Sequence, residues 1–307
     1  ATGGGFVKCP LYWFCMLQGR DAFMRMLAAI RFQLRNIVES PQFLAAVTLA
    51  ALGIAVVFAE GLLRFWGSDV GSLPSAAIGW MGNYESIYSY LWVYMLGFVI
   101  PTLGCMAAGD SFCRDLRSGR YATLATRMGR RTYLASFLFA AFIGCFVYVA
   151  GMIAVSQIVE LLVFPLNSSI DAFQTGFGSN AASMLRYTDY AARLPFGALA
   201  SISPYLLNLA YLAYDAFYIS ALVVFAAALS LFLPKQPLLV LAFPMTFVIV
   251  ATQLAPAEWN PLVNLTLSIS RAEDLSLAGM FSVPLLALAA GIMLAVVSEF
   301  LLKGDLQ

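Results

Sequence analysis

Few residues in this chain have the chemistry to make or break bonds. Histidine is absent, which removes Ser-His catalysis, histidine metal sites and histidine proton relays. The three lysines, Lys8, Lys235 and Lys303, follow Val7, Pro234 and Leu302. None closes a G-x-x-x-x-G-K-[ST] loop, so hydrolysis of nucleotide by the P-loop route is excluded. The five cysteines are Cys9, Cys15, Cys105, Cys113 and Cys145. Their number is odd and their spacing fits no metal pattern, so they read as reduced, structural thiols. Carboxylates remain. Gly109-Asp110 and Tyr214-Asp215 are the best candidates for an aspartyl-protease dyad. Such a dyad needs two carboxylates in contact. The topology derived below places Asp110 inside and Asp215 near the outer side, separated by a bilayer core of about 30 Å.

The residues with the strongest pattern are arginines. Six fall between Gly109 and Tyr133, at 114, 117, 120, 127, 130 and 131, opposed only by Asp110 and Asp115. Apolar runs of membrane length flank this stretch. A short Arg-rich segment beside spanning helices marks the cytoplasmic face, because Lys and Arg resist translocation. Ser118-Gly119 is a turn signal. Beyond it Tyr121, Leu124, Ala125 and Met128 recur at helical spacing, while Arg120, Arg127 and Arg131 share another face. The pattern predicts a short amphipathic helix over about Arg120 to Met128, outside the membrane. It either pins the segment to lipid headgroups or docks in a soluble partner, with the apolar residues inserted and the arginines at the rim.

The rest of the chain must position this segment. Of 307 residues, 62% are hydrophobic and 11% charged, against about 25% charged in soluble domains. The expected fold is therefore an all-α integral membrane protein, one domain over residues 1–307. Net charge is +1, which gives no bulk attraction for nucleic acid. The opening Ala1–Gly5 stretch lacks methionine and is left out of the fold reading. Cys9 to Leu17 is apolar but too short to span, and no small-residue cleavage site follows it. Residues 21–39 read as an interfacial amphipathic helix, with Phe23, Met26, Leu27, Ile30, Leu34, Ile37 and Val38 on its apolar side and Arg20, Arg31 and Arg35 opposite.

Six spans follow, at about 42–65, 86–108, 134–164, 205–233, 238–255 and 280–302. Pro101 predicts a kink in span two. Tyr88, Tyr90, Trp92 and Tyr94 suggest an aromatic belt at its outer end. Between spans three and four lies a polar loop, Pro165 to Pro204, carrying Asp171, Arg186, Asp189 and Arg193. Pro256 to Gly279 is mixed in character. It reads as an extracellular strand or as short re-entrant helices, tolerated at depth only if buried in protein. With both termini inside, thirteen Lys and Arg lie on the inner side and four on the outer: Arg64, Arg186, Arg193 and Arg271.

An amphipathic N-terminal helix, six spans and the motif D-L-R-S-G-R-Y-A-T-L-A-T-R-M-G-R-R-T-Y-L resemble the permease subunit of type-2 ABC exporters. Asp115, Gly119, Leu124, Arg127, Arg130 and Arg131 occupy the places of that family's acidic, glycine, leucine and basic positions. The segment before span six resembles its re-entrant outer helices. The resemblance covers nearly the whole chain in architecture and about twenty residues in motif. It implies that the 120–128 helix is a coupling helix docked on a separate cytoplasmic ATPase. It implies also that two permease subunits, identical or related, form the pathway in a bacterial-type plasma membrane. ATP and Mg would be bound by the partner; this chain would hold no cofactor.

Glu60, Glu160 and Asp215 fall in or at the ends of apolar runs. A charge at mid-bilayer costs about 2.5–3.5 kcal/mol on insertion scales. Counted from the inner ends, all three belong near the outer boundary. They read as snorkelling or ion-paired residues, Glu60 with Arg64, or as an acidic lining of the substrate pathway. Glu299 reads as interfacial. An ATPase-independent transporter or channel is the main alternative. It calls for inverted repeats or midplane polar residues, of which the spans show little.

Overall fold

The computed structural model describes residues 10–77, 80–81, 91–166, 195–200, 202–266 and 276–301. The expected features at Tyr88, Tyr90, Asp171, Arg186, Asp189, Arg193 and Arg271 lie outside these residues. Helices dominate, and the described residues contain no strand. We label α1 (Pro10–Val38), α2 (Pro41–Arg64), α3 (Leu91–Arg117), α4 (Arg120–Met128) and α5 (Arg130–Val163). Then follow α6 (Pro204–Ser230), α7 (Pro237–Leu254), α8 (Pro261–Leu265) and α9 (Leu277–Leu301). Six of these, α2, α3, α5, α6, α7 and α9, are long and apolar enough to cross a membrane.

Prolines start several of the helices, because the first helical N–H has no partner to lose. Pro41, Pro204 and Pro237 all sit at such starts, with Ser40 and Ser203 accepting hydrogen bonds from the Phe43 and Tyr205 amides. α3 departs from the expected span two. It does not stop at Ala108 but continues through Ser111–Arg117. The kink expected at Pro101 is distributed instead over two π-helical turns, Met95–Val99 and Cys105–Gly109. Pro101 lacks the N–H that would hold the preceding turn, so the backbone widens around it.

α6 is the central element, packed against α5, α9, α7 and α3. It is buried over most of its length, whereas α2, α7 and α9 leave most of their surface exposed. Contacts along the helices fix their directions. Tyr133 meets Asp115, while the space beside Gly104 is filled by Cys145, so α3 and α5 are antiparallel. Tyr214 bonds to Met280, and Gly291 lies against Phe225, so α6 and α9 run side by side in one direction. One end of the bundle therefore collects Arg114, Arg117, Arg120, Arg127, Arg130 and Arg131. We call it the basic end, and the opposite one the far end.

Two segments between the spans pack into the far half: the stretch after α2, and part of the Pro256–Gly279 stretch expected as a strand or as re-entrant helices. Ser75, Ala76, Ala77, Trp80 and Met81 are all fully buried. The Gln157 side chain donates to the Ala76 carbonyl at 2.8 Å, Asn208 to the Ala77 carbonyl at 3.0 Å, and the Met81 amide donates to Ser156 Oγ at 3.4 Å. The second segment is α8 with its flanks. Pro261, Val263, Asn264, Leu265 and Thr266 are buried against α3, α6 and α7. No strand forms there among the described residues. Leu262 reaches the backbone of α3 at Gly97, where any Cβ would collide with its side chain.

α1 also differs from its expected form. It begins by Pro10 and packs along α5 through Ala29, Gln33 and Ile37, while Phe23, Leu27 and Val38 are exposed. Trp92 is buried in the core rather than set in an interfacial belt; Tyr94 is exposed.

Gly97→Val is expected to displace Leu262 and destabilise the fold by about 1–3 kcal/mol, the usual cost of overpacking. Thermal denaturation in detergent would read this as a lowered midpoint relative to Val99→Ala on the exposed side of the same turn.

Candidate functional site

The basic-end site is built around α4. Two glycines isolate it: Gly119 and Gly129 have φ of 71° and 81°, values that β-carbon residues seldom adopt. Between them lie nine helical residues, bounded as the apolar spacing predicts. Tyr121 is 6% exposed and anchors the helix. Its ring meets Phe112 of α3 edge-on at 5.4 Å and Tyr133 of α5 edge-on at 5.3 Å. Tyr133 stacks in turn near Phe137 and donates its hydroxyl to Asp115 Oδ2 at 2.7 Å. Leu124, Ala125 and Met128 pack half-buried onto the same cluster.

This arrangement corrects one expectation. The apolar face at 121, 124, 125 and 128 is not free to insert into a partner; it is seated on the protein's own helices. The face left open carries Arg120, Ala122, Thr123, Thr126 and Arg127. Small residues flanked by two guanidinium groups make a shallow, positively charged surface. Periodicity located the helix and its two faces but could not say which one pointed inward.

The remaining arginines divide by role. Arg114 is half-buried, pairs with Asp110 at 3.3 Å and donates to Gln42 Oε1 at 3.0 Å, tying α3 to α2. Arg130 donates to the Ser298 carbonyl at 3.0 Å, and Arg131 forms an ion pair with Glu299. Both link the start of α5 to the end of α9. Arg131 therefore faces α9 rather than extending the open face of α4, and Glu299 is a partnered residue rather than a bare interfacial one. Above that ion pair an apolar groove of about 540 Å³ runs between α5 and α9, lined by Leu134, Leu138, Phe142, Leu288 and Ile292.

The far-half carboxylates separate. Glu60 is exposed on α2. Glu160 lies three residues from the far end of α5 and is only 2% exposed. Asp215 is fully buried and belongs nearer the middle than the boundary. It stands eleven residues from the start of α6 and fifteen from its end, or about 16 Å and 22 Å of helix rise. The middle of this helix does carry a polar residue after all. Asp110 and Asp215 still form no dyad. Gly109 abuts Val223, and the eight residues from there to Asp215 cover about 12 Å.

Cys105, Cys113 and Cys145 are free and buried. Cys105 lies well inside α3, not at its basic end, and its thiol donates to the Val240 carbonyl at 3.3 Å.

Tyr133→Phe deletes one hydroxyl and leaves Asp115 buried without that donor. It is expected to cost about 1–3 kcal/mol, read by thermal denaturation, and Leu124→Asp should cost more because it places a charge against the aromatic cluster. No family model, curated protein or solved structure matches this chain.

Proposed function

We propose that the chain is the membrane-spanning permease of an ATP-driven exporter, coupled through α4 to a separate ATPase. One observation carries this reading. A polar-faced helix is clamped at the basic end by an aromatic stack that joins it rigidly to α3 and α5. Force applied to the open face of α4 passes through Tyr121 into two spanning helices at once. A headgroup anchor needs no such clamp and would turn its apolar side toward lipid. Here that side is occupied by Phe112, Tyr133 and Phe137.

In this reading the basic end faces the cytoplasm of a bacterial-type plasma membrane, and two permease subunits, identical or related, share the pathway. The partner binds ATP and Mg and carries an acidic groove that receives Arg120 and Arg127. The Pro261–Leu265 turn serves as the re-entrant element before the last span. Glu160 and Asp215 belong to the interior of the far half; Glu60, exposed on α2, stands apart from them. A second reading, a transporter needing no ATPase, draws its support from the midplane position of Asp215.

The open face supplies the test. Thr123→Glu with Arg127→Glu replaces a neutral and a cationic group by two anions on exposed positions, where stability should change by less than about 0.5 kcal/mol. Affinity purification from the native host should recover an ATP-binding subunit with the wild type and lose it with this variant. Recovery of no ATP-binding subunit with the wild type would sink the exporter reading and leave the ATPase-free one.

Sidedness has its own check. Cys113 is fully buried, so it cannot report topology to a thiol reagent as an exposed loop cysteine would. Ser118 is exposed at the turn before α4. In a cysteine-free background, Ser118→Cys is expected to react with an impermeant maleimide in inside-out vesicles and not in intact cells.

A further inference from the structure

One face of α6 carries Asn208, Tyr211, Asp215 and Tyr218, spaced three, four and three residues apart. All are buried, at 3%, 0%, 0% and 0% exposure. Both Asp215 carboxyl oxygens, the Tyr211 and Tyr218 hydroxyls and Asn208 Oδ1 have no hydrogen-bond partner. The Asn208 amide donates to Gln157 Oε1 at 2.8 Å, and Gln157 lies one turn below Glu160 at the far end of α5. Glu160 Oε2 is likewise unpartnered. Polar residues thus recur at successive turns from the far end of α5 to the middle of α6, joined across the two helices by the Asn208–Gln157 bond.

Among the described residues nothing compensates the ionised form of Asp215. The titratable groups on its own helix are Tyr211, Tyr214 and Tyr218, with Tyr205 at its far end. Those on α5 are Tyr148, Cys145 and Glu160, with Arg130, Arg131 and Tyr133 at the basic end. α3 offers Tyr94 and Cys105, and at the basic end Asp110, Cys113, Arg114, Asp115 and Arg117. α9 offers Glu299 at that same end, while α7 and α8 have none. The cations in this set all lie at the basic end, and none is within the middle or far half of any helix packed on α6. An unpaired carboxylate in a low-dielectric interior is expensive enough that the group takes a proton or another cation instead. A proton is the one cation that a closed, fully buried site admits without displacing a side chain.

We infer that Asp215, flanked by Tyr211 and Tyr218, is a proton-binding site that loads and unloads from the far side along the Asn208–Gln157–Glu160 strip. Asp215 is neutral while the far half is closed and gives up its proton to far-side solvent when that half opens. This holds whether or not an ATPase drives the chain, so its failure and that of the exporter reading are separable.

Infrared difference spectroscopy on the purified protein in phosphatidylcholine vesicles tests it. At pH 7 the wild type is expected to show a protonated-carboxyl C=O stretch that shifts in D₂O. Asp215→Asn, neutral and nearly isosteric, should remove that band, and Glu160→Gln should keep it while slowing the D₂O shift. Absence of any such band in the wild type would overturn the assignment, showing an ionised carboxylate balanced by some other cation. A band that never shifts in D₂O would overturn the exchange, and a band lost with Glu160→Gln but kept in Asp215→Asn would place the proton elsewhere.

Discussion

The hydrogen bond from Tyr133 to Asp115 holds the basic end together, and much else follows from it. Asp115 is acidic and buried, which is costly unless a donor reaches it. Tyr133 supplies that donor from the first turn of α5. The same ring then forms one wall of the seat for Tyr121. One contact therefore fixes the end of α3, the start of α5 and the tilt of α4 between them. Arg114 extends the network to α2, and Arg130 and Arg131 extend it to α9. Four of the six long helices are tied at one end by polar bonds, while their middles touch mainly through apolar surface, with the Tyr148 hydroxyl donating to the Ala46 carbonyl at 3.3 Å as an exception.

Much of this was legible in the residues. Six apolar runs gave six long helices, because a backbone without water must satisfy itself internally. The Ser118-Gly119 turn and the last apolar residue of the stripe, Met128, gave the limits of α4. What stayed hidden was orientation. The apolar stripe at 121, 124, 125 and 128 looks alike whether it meets a partner or its own chain. The aromatic residues that receive it, Phe112 and Tyr133, are separated from it by turns of unknown geometry. Charge misled at residues 109–117. Arginine and aspartate there suggested a loop, but pairs such as Asp110 with Arg114, one turn apart, suit a helix equally well.

The far half was harder to read for a related reason. Ser75 to Met81 is short, rich in small residues and framed by glycine, so it has the composition of an exposed turn. Its burial depends on Gln157 and Asn208, polar residues on two other helices that accept its backbone into the core. Nothing local signals that arrangement. The depth of Asp215, by contrast, was within reach, since a span expected to start at 205 already puts it ten residues in, against eleven in α6.

The buried amides of Gln157 and Asn208 have a consequence for how the far side opens. They hold the backbone carbonyls of Ala76 and Ala77, in the inserted 75–81 segment, within the buried far half. Pulling that segment out strands those groups in an apolar medium, at a cost of several kcal/mol for each. The only cheap replacement partner is water. Helices on this side therefore cannot part while dry; water must enter in the same step, and the hydration of two amides becomes the latch.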